Sequence, residues 1–100
     1  MITPADKERF ANLMAEQLFK YLMSIPRAEE VSLIFLQRKL KDQMATEEDI
    51  HKVAQVFGNR LADLYEEFDR SYGRSPTSDE TDKLETESIE YAFKQFEKGI

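Results

Sequence analysis

The second half of the chain carries a ladder of large apolar residues: Ile50, Val53, Phe57, Leu61, Leu64, Phe68 and Tyr72. Its steps of three and four residues are the spacing of one face of a long α-helix. The opposite face reads Glu48, Lys52, Gln55, Asn59, Asp63, Glu66 and Arg70. A stripe this clean packs against other helices, and it predicts a helix over residues 47–72. Thr46 is placed to cap that helix, with Asp49 three residues on in a variant of the capping box. Gly58 lies inside the ladder, where it costs roughly 1 kcal/mol relative to Ala; close approach of a neighbouring helix is the expected reason. The mean step sits nearer an eleven-residue period than a heptad, so the helix should be nearly straight and roughly 40 Å long.

Three further segments show helical spacing. A helix over about 4–24 starts from Thr3 as cap and Pro4 as first helical residue. Its apolar positions are Phe10, Leu13, Met14, Leu18, Tyr21, Leu22 and Ile25, with Phe19 off the stripe. A helix over about 27–44 opens on Glu29 and Glu30 and closes near Arg38, Lys39 and Lys41, complementing the helix dipole. Its run of Val31, Leu33, Ile34, Phe35 and Leu36 also fits a short buried strand, but no second strand candidate exists to pair with it. A helix over about 79–99 follows SPTSDE, with Ser78 as the expected cap. It turns Leu84, Ile89, Ala92, Phe93, Phe96 and Ile100 inward. The expectation is therefore an all-α fold: a single helical domain over residues 1–100, built as a bundle of four helices with short connections and antiparallel neighbours. Apolar helix surface in excess of what a thin bundle covers adds the expectation of a homodimer.

Charge narrows the partners. Fourteen Lys and Arg against 20 Asp and Glu give a net charge of −6, which disfavours nucleic acid and anionic membranes. The absence of Cys removes disulfides, thiol nucleophiles and zinc–thiolate sites. The N-terminus lacks the basic and apolar regions of a signal peptide, and the apolar runs are too short to span a bilayer. A cytoplasmic protein is expected.

Candidate chemistry is sparse. Glu48 and His51 have the Glu-x-x-His spacing of di-iron bundles, but they fall on the polar side of their helix. Asp69–Glu80 has the length of an EF-hand loop, yet Gly73, Arg74 and Pro76 occupy places where calcium needs an oxygen ligand, a glycine turn and a short bridge. Ile50–Phe68 can be laid on a helix-turn-helix with Ala54 and Gly58, but Asp63, Glu66 and Glu67 would face phosphates. Arg38, Lys39 and Lys41 form a basic cluster that reads as a dipole complement. Arg74–Ser78 reads as a capping turn that a phosphate at the helix start would suit. No triad, glycine-rich phosphate loop or paired ligand set selects an enzyme.

The sequence thus predicts a small acidic, non-enzymatic protein-binding module or regulator, an adaptor or inhibitor acting through helix faces, without cofactor or metal. The expected partner-binding residues are Phe19, Asp79, Glu80, Asp82, Glu85 and Glu87: an acidic helix start beside an apolar group off its core stripe. The alternative is a transcription regulator using the degenerate helix-turn-helix.

Overall fold

Capping hydrogen bonds fix where the helices begin. The computed structural model describes residues 3–23, 38, 42 and 46–99. Among them are three helices and no strand: α1, Pro4–Met23; α2, Glu47–Tyr72; and α3, Ser78–Glu97. In α1 the Asp6 amide donates to Thr3 Oγ1 at 3.1 Å. In α2 the Asp49 amide donates to Thr46 Oγ1 at 3.1 Å and the Thr46 amide donates back to the Asp49 carboxylate at 3.0 Å, so the capping box is complete. At the other end Gly73 adopts φ 63°, and its amide donates to the Asp69 carbonyl at 2.8 Å. That left-handed cap favours glycine because a Cβ would crowd the backbone. The cap of α3 is Thr77, not the expected Ser78, which is the first helical residue. Thr77 Oγ1 accepts from the Glu80 amide at 3.3 Å, and the Thr77 amide donates to Glu80 Oε1 at 3.0 Å.

The four-helix bundle is not what the structure shows. The described chain is an all-helical arrangement in which α1 and α3 both pack on α2. The segment expected as a helix over 27–44 lies outside the described residues, except Arg38 and Asp42, which are helical and exposed. The overestimate has a physical origin: apolar periodicity gives each helix a sticky face but does not say how many partners that face serves. Here α2 serves both neighbours. Lys7 reaches Asp63 at 2.6 Å, Phe10 meets Tyr65 at 4.9 Å and Phe19 meets His51 at 3.7 Å. Early α1 therefore lies on late α2, and the two run antiparallel. On the other side Tyr65 donates its hydroxyl proton to Thr81 Oγ1 at 3.3 Å and Arg60 pairs with Glu87 at 2.9 Å, so α3 is also antiparallel to α2. The molecule measures 41 × 26 × 22 Å; its long dimension is roughly the length of α2 at about 1.5 Å per residue.

The core joins Ala15, Leu18 and Leu22 of α1, Val53, Ala54, Phe57 and Leu61 of α2, and Ile89 and Ala92 of α3. The ladder's centre is thus buried as its spacing requires. Ser88 is wholly buried beside Ile89, and its hydroxyl is satisfied by the Leu84 carbonyl at 2.8 Å. Small residues make the tightest seam. A Cβ on Gly58 would run into the Ala11 carbonyl and would sit 3.1 Å from the Ala15 Cβ. The close approach expected at Gly58 is therefore real, and Ala11 and Ala15 are its other half. This corrects one core assignment: Leu13 lies half a turn from both alanines and is half exposed.

Candidate functional site

Beyond the core, α2 continues its row of large side chains towards its C-terminus. Arg60, Leu64, Glu67, Phe68, Ser71 and Tyr72 recur at the spacing of one helix face and look across to Leu84 and Glu87 of α3. Together they line an open groove of about 360 Å³. Leu64 is buried, Phe68 and Leu84 are half-buried, and Tyr72 is 63% exposed. The Phe68 and Tyr72 rings lie 4.5 Å apart, tilted at 41°.

Arg74 stands beside the Tyr72 end. Its guanidinium grips both carboxylate oxygens of Glu80, at 2.9 and 3.1 Å, and also donates to the Ser75 carbonyl at 3.1 Å. It lies 5.1 Å from the Phe68 ring centre and 5.5 Å from that of Tyr72, so the same cation serves a bidentate ion pair and two ring faces. The Arg74 guanidinium, together with the Thr77 amide, lowers the Glu80 carboxyl from 4.5 to about 2. The bonds that Arg74 donates to Glu80 raise Arg74 in return. At the other end Arg60 pairs with Glu87 and lies 4.8 Å over the Tyr91 ring. Both arginines bordering the groove are therefore committed to acids of the same chain. Glu67 has no ion-pair partner among the described residues, nor do Asp82, Glu90 and Lys83, which are exposed along the adjoining surface of α3.

The residues expected to form one binding surface do not all meet. Asp79, Asp82 and Glu87 are exposed on α3, while Glu80 and Glu85 are half-buried. Glu80 is held by Arg74 and by the cap, and Glu87 by Arg60. Phe19 is not a freely exposed group: it is half-buried, stacks on His51 with an angle of 11° between the rings, and packs against the core. Its partner His51 lies fourteen positions from Tyr65, where α3 begins its contact, a separation of roughly 21 Å along α2. Phe19 and the acidic start of α3 therefore sit towards opposite ends of the spine. Sequence reasoning missed Leu64, Phe68, Tyr72 and Arg74 as surface groups; the signal available was the four-residue row Leu64–Phe68–Tyr72 running out to the last residue of α2.

Other candidate motifs take ordinary places. Glu48 is exposed and faces Lys52 at 3.8 Å, and the described residues hold no group of three or more His, Cys, Asp or Glu placed to share a metal ion. Asp69–Tyr72 are the last turn of α2 and Ser78–Glu80 the first of α3, which leaves no twelve-residue loop for calcium. Helix α2 runs unbroken through Gly58, whereas a helix-turn-helix needs the chain to turn there. Among the described residues no helix is long and apolar enough to cross a membrane. Comparison with known protein families, curated proteins and solved structures found no match, so the functional reading rests on the geometry above.

Proposed function

We propose that this protein is a non-enzymatic protein-binding module or regulator whose binding element is the α2–α3 groove. The observation that supports this is the exposure of Tyr72 at the end of an apolar row whose other members, Leu64 and Phe68, are covered or half-covered. Interface cores are enriched in aromatic residues, and a tyrosine beside an open groove of mixed apolar and polar lining presents large contact area at little conformational cost. The rim is polar and partly rigidified by the Arg74–Glu80 and Arg60–Glu87 pairs, which keeps the groove's shape before a partner arrives.

A photo-crosslinking residue at Ser71, inside the groove, tests this against the same group at Gln17 on exposed α1. A binding partner should be trapped from the native host at position 71, not at 17, and the adduct should disappear in Tyr72→Ala. Equal trapping at both positions, or adducts indifferent to Tyr72→Ala in a folded protein, would show that the groove is not the binding element.

A further inference from the structure

Given the groove as binding element, on which this step rests, its charge names the occupant. We propose that the groove receives a basic segment of another protein: a short stretch with one bulky apolar anchor flanked by Lys or Arg. The anchor follows from the floor and the size. Leu64, Phe68 and Leu84 offer apolar surface under Tyr72, and about 360 Å³ is at the small end of ligand-sized pockets. That suits an anchoring side chain and its immediate neighbours rather than the whole side of a helix. The basic flanks follow from which charges remain available. Arg60 and Arg74 are paired with Glu87 and Glu80, at 2.9 Å each, and the Arg60 Nε–H, buried with no hydrogen-bond partner among the described residues, is a donor left for a carbonyl of the incoming segment. Glu67 on the α2 wall, with Glu90 and, further round α3, Asp82, stands against Lys83 and against Lys94 one turn beyond Glu90, so carboxylates outnumber the uncommitted cations by three to two. The surface therefore presents an excess of carboxylates among the described residues, on a chain whose net charge is already −6. A cationic segment answers them, and such complementarity speeds encounter and excludes wrong partners.

The same charges argue against two other occupants. Nucleic acid would bring phosphates to Glu67, Asp82 and Glu90. A second copy docking groove to groove across a two-fold axis would bring the same acid-rich patch from both subunits together, which adds carboxylates and no cation beyond those already present.

The test pans a random-peptide display library on the full chain and measures the recovered peptides against three folded variants. Tyr72→Ala removes the groove's exposed wall. Ser71→Arg fills the groove and adds a positive charge. The triple variant Glu67→Gln, Asp82→Asn, Glu90→Gln removes free carboxylates and leaves both arginine ion pairs intact. The expected peptides carry Lys or Arg around a Leu, Met or Phe. They should bind roughly tenfold more weakly to the triple variant, weaken with added salt, and be lost on Tyr72→Ala and Ser71→Arg. Peptides that need Tyr72 but show no basic bias and ignore the triple change would overturn the basic occupant and leave the groove standing. Peptides indifferent to Tyr72→Ala and Ser71→Arg, or recovery of none, would overturn the groove as well.

Discussion

Gly58 decides how closely α1 and α2 approach. A methyl group there meets the Ala11 carbonyl and the Ala15 backbone and side chain, and backbone does not swing aside as the end of a long side chain does. Gly58→Ala gains about 1 kcal/mol of helix propensity, but pushing α1 away costs about 1–3 kcal/mol or more. The expected result is a net loss of up to about 2 kcal/mol in urea unfolding; a stabilised variant would mean that α1 moves away without penalty. Glu80 sets a second residue-scale expectation. Its carboxyl is held at about 2, below its ordinary 4.5, chiefly by Arg74 and then by the Thr77 amide. A carboxyl with a depressed folded-state value contributes stability that is fully present above its unfolded value and is lost as pH falls through the folded one. Between pH 4.5 and 2 the protein should therefore weaken progressively. Glu80→Gln should flatten that part of the stability–pH curve, and carboxyl titration by NMR should find Glu80 still ionised at pH 3, where unperturbed glutamates are protonated. Asp6 and Asp49 are lowered too, first by their bonds to Thr3 and Thr46 respectively, so a residual slope remains in the variant.

At the level of elements, the caps carry the argument. Thr77→Ala should cost about 1 kcal/mol, because it leaves the Glu80 amide without its acceptor, whereas Ser78→Ala should change stability by less than about 0.5 kcal/mol. Equal losses in thermal unfolding would return the cap to Ser78. The helix bounds of α1, α2 and α3 were legible because periodicity, caps and end charges agreed within each segment. The expected cap Ser78 is one residue off because SPTSDE offers several hydroxyls; the deciding clue is Glu80, three residues after Thr77, the same spacing as between Thr46 and Asp49. Leu13 was misread for a related reason. Large residues dominate a hydrophobic pattern, yet the α1–α2 seam is built from Ala11, Ala15 and Gly58, whose smallness permits contact. The groove was not legible at all, since it exists only where the register of α2 on α3 sets Leu84 and Glu87 opposite Leu64 and Phe68.

For the molecule as a whole, the same ladder performs two tasks along its length. Phe57, near its centre, is buried between neighbours; Tyr72, at its end, is open to water. Phe57→Ala should cost about 3–5 kcal/mol, while Tyr72→Ala should leave the unfolding midpoint nearly unchanged and affect only binding. Comparable losses from both would mean that the end of the ladder belongs to the core. Phe19 and the acids of α3 are not brought together in the molecule, because sequence patterns do not reveal which ends of antiparallel helices coincide. The placement of α2 between its neighbours also sets an order in time. Side-chain bonds between α2 and α3 span 16 to 27 positions, whereas those between α1 and α2 span 43 to 59. Shorter loops close at smaller entropic cost, and the Arg74–Glu80 clasp and the two caps at the turn hold that hairpin together locally. In refolding, α2 and α3 should pair first and α1 should dock last. Ile89→Val should then chiefly slow folding, and Leu18→Ala chiefly speed unfolding, in stopped-flow measurements; the reverse pattern would make α1 and α2 the nucleus.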